Sequence, residues 1–426
     1  MTLFTPNVYK LRQQKAATVV QSELNDSELL VIHSGHPQKK PGGLDQTYDF
    51  LPHPLYFWLT GHRRPFGVFV ISKKEIYGEF QRNLTSTEIV WEGAQWNFIS
   101  DKSLTDFENL KKQFSVITHL GLWPGLESEE QKERAFSFHI LLDQVRRKKD
   151  AAEIKQIREL ASLANHGYEA LALAVTPGVS ERELQLVYEN AVLQAGAEKM
   201  PYGSIVGTGE NSAILHAVPS SQKLKSGEMV LVDAGADIQD YCVDITRMFP
   251  VSGKFSPQQQ DIYDIVLTAQ LQAIDQCKIG NQWKDVHLLT AEIIAEGLSD
   301  FGLFKTSVSD VLESGAISVF YPHGVGHLVG LKVRDTGVIE NRAPKKYAGA
   351  NLRVDLKLQE GFCVTVEPGC YFPRAFIEDP VIREKYKNHI NWAVAEKWKN
   401  FGGIRLEDDV LITSKGPDVL TSVVKK

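Results

Sequence analysis

The stretch MVLVDAGADIQDYCVDITRMFP (residues 229–250) constrains the fold more than any other part of the chain, because it sets two carboxylates within apolar runs. The runs flank the short polar loop DIQD, which is typical of a β-hairpin. If the turn centres between Ile238 and Gln239, Asp233 lies directly opposite Asp244, with Cβ atoms about 4.5–5.5 Å apart. Two carboxylates that close repel each other in an apolar setting, and a cation between them would make them a ligand pair. The alternative is one exposed aspartate and one helix-capping aspartate.

A second pair of apolar segments carries two glutamates. In FCVTVEPG, Thr365 and Glu367 point to one face of a predicted strand, and in GIRLEDDVLIT, Arg405 and Glu407 share a face. Glutamate is unfavourable within strands, so its place at the end of an apolar run indicates a functional reason. The alternative is a glutamate that faces solvent at a strand end.

The segment PHGVGHLVG adds two histidines four residues apart, His323 and His327. The glycines between them argue against a helix of the HExxH type. They favour a tight loop that brings imidazoles close to a ligand. Another histidine, His216, stands alone in NSAILHAVP. For each of the three, a structural role in a loop or core is the alternative.

Together these segments supply a hard, oxygen-rich ligand set of four carboxylates and one imidazole. Such a set suits Mn²⁺ and, less selectively, Co²⁺, Zn²⁺ or Fe²⁺. Four carboxylates outnumber what one ion usually needs, so two divalent ions per chain, about 3.5–4 Å apart, are favoured. A water between them would become the nucleophile of a hydrolysis. The predicted metal ligands are Asp233, Asp244, His327, Glu367 and Glu407.

Length and pattern predict two domains, since 426 residues are too many for one ordinary domain. Residues 1–147 alternate strand-like and helix-like stretches without a chemical motif, which predicts a smaller α/β accessory domain. Residues 148–426 open with a long amphipathic helix and continue with antiparallel hairpins, which predicts an α+β domain. Capping patterns at Ser180 and Ser256 mark the starts of further helices.

Composition narrows the class of partner and the cellular location. A net charge of −6 without blocks of like charge gives no electrostatic reason to bind nucleic acid or an anionic membrane, so a small substrate fits better. The first residues lack the apolar region of a signal peptide, and no run approaches the length of a membrane span. The four cysteines form no CxxC pair, which predicts reduced thiols in a cytoplasmic protein.

The order Asp, Asp, His, Glu, Glu, in the contexts VDAGA, DITRMFP, HGVGHLVG, TVEPG and GIRLEDD, resembles that of the pita-bread metallopeptidases. This family includes prolidases, aminopeptidase P and methionine aminopeptidase, and the resemblance covers roughly residues 150–426. It implies an α+β pita-bread catalytic domain behind a smaller N-terminal domain. It also implies a homodimer, because relatives commonly form one.

The resemblance implies a role for each metal ligand. Asp233 would chelate one ion, and Asp244 and Glu407 would bridge both. His327 and Glu367 would complete the shell of the other ion. Glu367 would also accept the proton of the attacking water, as a general base.

The resemblance extends to residues around the ligands. Thr246 and Thr365 are similar to hydroxyls that orient the carboxylates, and Arg405 is similar to the arginine beside them. His216 and His323 match imidazoles that line the proline pocket and help to steady the tetrahedral intermediate.

Two features favour an X-Pro dipeptidase, or prolidase, within this family. Arg353, 14 residues before Glu367, matches the arginine with which prolidases hold the free carboxylate of a dipeptide, a role that suits a bidentate guanidinium. The 39 residues between Glu367 and Glu407 resemble an insertion in bacterial X-Pro dipeptidases, whereas aminopeptidase P has a shorter connection. The alternatives are a solvated surface arginine and an aminopeptidase P that releases the N-terminal residue from longer X-Pro peptides.

The chain departs from the family at Arg334, where the pattern HxxGHxxGxxVHD usually has a third histidine. Arginine cannot give up its proton at working pH. It would instead stabilise an oxyanion electrostatically or bind a substrate carboxylate. This departure keeps open an alternative of another class, a non-catalytic relative that binds peptides.

Overall fold

The structure, a computed structural model, describes residues 2–93, 102–121, 129–336 and 345–426. The chain is α+β and forms two compact units, Met1–Arg146 and Arg147–Lys426. None of the helices within the described ranges has the length and apolar character of a membrane span.

The first unit is built on a mixed sheet of four strands. The strands are β1 (Glu28–His33), β2 (Val68–Ser72), β3 (Ile76–Phe80) and β4 (Val116–Leu120). Their order is β3-β2-β1-β4, with β4 parallel to β1 and the other neighbours antiparallel. The two central strands are buried along their whole length, as their apolar sequences predict. The helices of this unit are α1 (Pro6–Gln21), α2 (Pro54–Thr60), α3 (Ser86–Glu92), α4 (Leu104–Lys111) and α5 (Glu129–Arg147).

Long capped helices begin the second unit. The predicted capping boxes are confirmed: the Ser180 and Ser256 side chains accept hydrogen bonds from the backbone amides of Glu183 and Gln259, whose side chains bond back to the caps. The helices are α6 (Ala151–Ala174), α7 (Glu181–Ala195), α8 (Pro257–Gln276), α9 (Trp283–Asp300), α10 (Val308–Ser314), α11 (Arg374–Ile377), α12 (Pro380–Lys385) and α13 (Trp392–Ala395).

Several short antiparallel ladders complete the second unit. The ladders are β5-β6-β9, β7-β8, β10-β11, β12-β15-β16 and β13-β14. A backbone bridge between Thr246 and Glu407 joins the first of them to the turn between β14 and β15. The strands are β5 (Ile205–Thr208), β6 (Met229–Asp233), β7 (Asp237–Ile238), β8 (Tyr241–Cys242), β9 (Thr246–Pro250), β10 (Lys346–Tyr347), β11 (Ala350–Asn351), β12 (Cys363–Val366), β13 (Gly369–Tyr371), β14 (Gly403–Arg405), β15 (Asp408–Thr413) and β16 (Gly416–Val419).

The hairpin that carries the two aspartates forms, but its predicted register is wrong. Asp233 pairs with Thr246 and not with Asp244. The turn centres between Gln239 and Asp240, whose φ angles are +51° and +70°. Two consecutive left-handed residues are the signature of a type I′ turn, which sets the pairing one residue later on each strand than the sequence suggested.

The 39 residues between Glu367 and Glu407 pack into the apolar core of the second unit. Trp398 stacks on Phe372 with ring centroids 4.7 Å apart, and Phe401 contacts both rings. Residues from α8 and α9 belong to the same buried cluster. This segment is therefore a structural part of the unit rather than a surface appendage.

Candidate metal centre and substrate cavity

Strand ends bring the two aspartates and Glu407 to one point. Asp233 is the last residue of β6, and Thr246 opposite it forms a backbone bridge with Glu407. Asp244 lies in the break between β8 and β9, where its backbone amide donates to Asp409 Oδ2 at 3.2 Å. All three carboxylates are buried. This burial excludes the solvent-exposed alternatives that the sequence left open.

A single hydroxyl lies between the two aspartates. Tyr202 Oη is 2.7 Å from Asp233 Oδ1 and 2.6 Å from Asp244 Oδ1. One hydroxyl hydrogen cannot serve two carboxylates at once, so the two aspartates compete for it. Burial and the nearby charge of Asp244 raise the pKa of Asp233 to about 7.

Arg405 and Thr246 fix the orientation of the carboxylates. Arg405 donates to Asp233 Oδ2 at 2.6 Å and to the Thr246 hydroxyl at 3.2 Å. Thr246 in turn donates to Glu407 Oε2 at 2.7 Å. These hydrogen bonds connect the ladder β13-β14, which carries Arg405, to the ladder β5-β6-β9. The carboxylates of Asp233 and Glu407 are therefore held by side chains as well as by the backbone.

The predicted loop around His327 is present and approaches β12 very closely. His327 and Thr365 exchange hydrogen bonds, with the His327 amide 3.1 Å from Thr365 Oγ1 and the Thr365 amide 2.8 Å from His327 O. A Cβ on Gly326 would lie 2.0 Å from Thr365 O, so only glycine permits this approach. His327 Nδ1 donates to Leu328 O at 3.0 Å, which leaves Nε2 free to face the carboxylates.

Glu367 completes the group of five. His327 Nε2 lies 3.4 Å from Asp244 Oδ2 and 3.7 Å from Glu367 Oε1. Burial raises the pKa of Glu367, although His327 and Arg405 oppose the shift. Burial, with Asp244 as the next cause, raises the pKa of Glu407 well above its usual range. At Asp244 burial also acts to raise the pKa, but His327, Tyr202 and Arg405 together outweigh it and lower the pKa.

The donor set fits divalent cations. Within the described ranges, one group of three or more potential ligand side chains has donor atoms all within 4.8 Å of one another, namely Asp244, His327 and Glu407. Asp233 and Glu367 flank this group. Raised carboxyl pKa values indicate negative charge that the surrounding protein leaves uncompensated, and bound cations would compensate it.

A cavity of about 560 Å³ opens from these ligands toward solvent. Its lining includes the predicted substrate residues His216, His323, Arg334 and Arg353. Arg353 is about 38% exposed, and its Nη1 lies 3.8 Å from Glu367 Oε1. The structure therefore brings every predicted site residue but Thr246 and Thr365 to the cavity, and those two lie behind its wall.

The two histidines of the cavity differ in their surroundings. Both ring nitrogens of His323 are engaged, Nδ1 with Gly324 O and Nε2 with the Tyr371 hydroxyl, each at 2.9 Å. Burial, helped by the charge of Arg405, lowers the pKa of His323 to about 3, so its ring is neutral. His216 is exposed at the cavity, and burial followed by the charges of Arg334 and Arg353 lowers its pKa.

Sequence reasoning missed one residue that lines this site and one that supports it from behind. Tyr202 lies in the segment MPYGS, where the neighbouring proline and glycine indicate only a turn. Glu181 is fully buried at the start of α7, and its carboxylate accepts four hydrogen bonds that hold the segment bearing His216. An acidic residue in the first turn of a helix is common, so no local signal marks its role.

The comparisons with known proteins agree with this geometry. Residues 155–414 match the model of metallopeptidase family M24. The chain is 37% identical over 400 residues to a protein of Sclerotinia sclerotiorum named "Probable Xaa-Pro aminopeptidase pepP". This alignment covers 89% of this chain and 72% of that protein. A protein of the same name from Botryotinia fuckeliana is 38% identical over 284 residues, and this alignment spans 62% of its length and 67% of this chain.

Solved structures support the same fold. The aminopeptidase PepP of Pseudomonas aeruginosa is 26% identical, with a TM-score of 0.78 over 100% of this chain and 97% of that one. Aminopeptidase P from Escherichia coli with the inhibitor Pro-Leu has a TM-score of 0.78 at 24% identity, covering 99% and 96% of the two chains. The second unit thus has the pita-bread fold, and this chain belongs to metallopeptidase family M24.

Proposed function

We propose that this chain is a metal-dependent Xaa-Pro aminopeptidase, which releases the N-terminal residue from peptides with proline in second place. The convergence of Asp233, Asp244, His327, Glu367 and Glu407 at the base of one cavity is the observation that carries this proposal. The names of the relatives support the choice of an aminopeptidase.

The features that favoured a dipeptidase carry less weight in the structure. In the described part of the chain, no residue from 368 to 402 lines the cavity, because this segment packs into the core instead. Its length therefore says nothing about the length of the substrate. Arg353 does line the cavity, which keeps an X-Pro dipeptidase as the second candidate.

The five ligands would hold two divalent ions, with Mn²⁺ preferred for this oxygen-rich set. Such ions, when bound, supply an acidified water and a polarised carbonyl. Outside the ligands, Arg405 and Tyr202 keep the carboxylates oriented. A homodimer and a cytoplasmic location are parts of the same proposal, and light scattering of the purified protein tests the first.

The side chains around the metal ligands have different roles in the proposed hydrolysis. Glu367 accepts the proton of the attacking water, because its carboxylate lies among the ligands at the cavity, where burial raises its pKa above the usual value. His216 and His323 lie on the substrate side as neutral rings. An X-Pro bond lacks an amide N–H, so recognition must come from the shape and side chains of the cavity rather than from a backbone ladder.

A cleavage panel in the presence of Mn²⁺ tests the proposal. We expect Ala-Pro-Ala to be cleaved with a kcat/KM at least about tenfold above that of Ala-Pro, and Ala-Ala-Ala to be a poor substrate. Better cleavage of Ala-Pro would establish the dipeptidase instead. Failure to bind Mn²⁺, together with no cleavage of either peptide, would favour a peptide-binding relative.

Two variants connect the activity to the site. Glu367→Gln should lower kcat by about 10²–10⁴-fold, because it removes the proton acceptor. Glu360→Gln is the matched control, since Glu360 is an exposed residue that does not line the cavity. Equal activity of the two variants would contradict the role of Glu367.

A further inference from the structure

Four arginines line the cavity outside the ligand group, and within the described part of the chain two of the three exposed ones have no carboxylate partner. Arg182, Arg334 and Arg353 all line the cavity and are exposed. Within the described ranges, Arg334 makes no ion pair, and Arg182 bonds through its side chain only to the neutral amide oxygen of Gln185, at 2.6 Å. By contrast, Arg405 deeper in the cavity is fully engaged with Asp233 and Tyr371.

The backbone that carries Arg334 is firmly held. The next residue, Asp335, forms an ion pair with buried Lys149 at 2.8 Å, and its amide donates to Leu328 O at 2.9 Å. Arg147 Nε donates to Thr336 O at 2.7 Å. The guanidinium of Arg334 therefore projects from an anchored segment, which lowers the entropy cost of using it to bind a ligand.

Arg182 is also set on a fixed element. It lies in the first turn of α7, and its backbone amide donates to Ser220 O at 3.0 Å, at the end of the segment that carries His216. Its hydrogen bond to Gln185 holds the guanidinium along the wall of the cavity. Arg182 and Arg334 thus reach the same cavity from two separate anchored segments.

The charge of the cavity is therefore divided into two zones. The ligand carboxylates are buried, where cations would balance them, and the guanidinium groups of Arg182 and Arg334 lie at the solvent-exposed part of the lining. Burial lowers the pKa of His216, and the positive charges of Arg334 and Arg353 lower it further. A substrate with a negative group near the mouth would meet both zones with complementary charge.

We propose that this site prefers peptides with a carboxylate close to the X-Pro bond, and that Arg334 and Arg182 bind this carboxylate. The inference rests on the proposed function and adds a substrate class to it. The carboxylate comes from one of three sources: an acidic side chain after proline, an acidic residue before proline, or the free C-terminus of a short peptide. Guanidinium groups suit all three because they bind carboxylates through two parallel hydrogen bonds.

Matched peptide pairs distinguish these sources. The pairs are Ala-Pro-Glu-amide with Ala-Pro-Gln-amide, Glu-Pro-Ala-amide with Gln-Pro-Ala-amide, and Ala-Pro-Ala with its amide. At low ionic strength, we expect the carboxylate-bearing member of at least one pair to have a kcat/KM roughly threefold to fivefold higher per arginine engaged. About 0.5 M salt should remove most of this preference.

Charge variants assign the preference to the arginines. Arg334→Gln and Arg182→Gln should each reduce the preference, and Arg334→Glu should shift it toward Ala-Pro-Lys-amide. Arg158→Gln is the matched control, because Arg158 forms a surface ion pair with Asp418 and does not line the cavity. Thermal unfolding of each variant checks that the fold is retained.

The two proposals fail in different ways. Cleavage of all peptides with equal kcat/KM within every pair would overturn the carboxylate preference and leave the aminopeptidase intact. If no peptide is cleaved, calorimetric titration of the same pairs into Glu367→Gln still measures the preference as a ratio of Kd values. Equal Kd values within every pair would then overturn it as well.

Discussion

Tyr202 places one hydroxyl between two carboxylates, within hydrogen-bond distance of both Asp233 and Asp244. We expect Tyr202→Phe to weaken Mn²⁺ binding by about tenfold, because residues that orient metal ligands typically contribute 10–100-fold to affinity. Calorimetric titration of the metal-free protein measures this change. Tyr347→Phe is the control, since that hydroxyl bonds to Asp355 outside the cavity. Equal affinities for the two variants would mean that Tyr202 does not orient the ligands.

The acidic candidate ligands could be singled out in the sequence because they stand out against their surroundings. A carboxylate within MVLVDAGA or FCVTVEPG conflicts with the apolar pattern, and the conflict indicates a function. Tyr202 gives no such signal, because tyrosine is ordinary beside a turn. Its role depends on an arrangement that only the folded chain creates.

At the scale of elements, the start of α7 supports the segment that bears His216. The buried Glu181 carboxylate accepts hydrogen bonds from Thr208 N, Asn211 Nδ2 and both the amide and hydroxyl of Ser220, at 2.6–3.0 Å. Glu181→Gln would turn an amide group toward these donors, so we expect a loss of about 3 kcal/mol in the free energy of unfolding. Urea denaturation measures this loss.

Glu183→Gln provides the matched control on the same helix. Glu183 is exposed, and glutamine also serves as a capping-box partner. We therefore expect a change well below about 1 kcal/mol at Glu183. If the two variants were equally stable, the four hydrogen bonds of Glu181 would not hold the segment.

The register of the hairpin that carries Asp233 and Asp244 could not be predicted from the sequence. The apolar runs predicted both strands, and the loop DIQD predicted the turn. Its centre depended on whether Gln239 and Asp240 both adopt positive φ, and glutamine rarely signals this. The five candidate ligand side chains nevertheless converge, because Asp244 lies in a break between strands and is not confined to a ladder position.

At the scale of the whole molecule, the metal-free chain should be sensitive to pH. The pKa of Asp233 is raised to about 7 in the folded state, above the usual value of 3.8. Its contribution to stability is therefore present at low pH and is lost as the pH rises from about 4 through 7. In EDTA, we expect the unfolding temperature to fall over this range, and Asp233→Asn should flatten the slope.

Added metal should reverse this loss. Binding only to the folded chain at a free concentration 100 times Kd adds about 2.7 kcal/mol per site. The thermal unfolding temperature at pH 8 should therefore rise with Mn²⁺ concentration. A stability that is the same with Mn²⁺ and with EDTA would contradict the assignment of the five ligands.

The fold class of this chain was accessible from its sequence, because period-two strands and capped helices are local signals. The role of the residues between Glu367 and Glu407 was not. Their length suggested a substrate-related insertion, whereas Trp398 and Phe372 show that they fill the core. Only three-dimensional packing distinguishes these two uses of a long connection.

All four cysteines are buried free thiols in the second unit. Burial raises their pKa values, to about 12 for Cys277, so almost no reactive thiolate exists in the folded protein. A chromogenic disulfide reagent should therefore leave the native protein unmodified and label it only when this unit opens. The rate at which colour develops therefore measures how often this unit opens spontaneously, without any engineered cysteine.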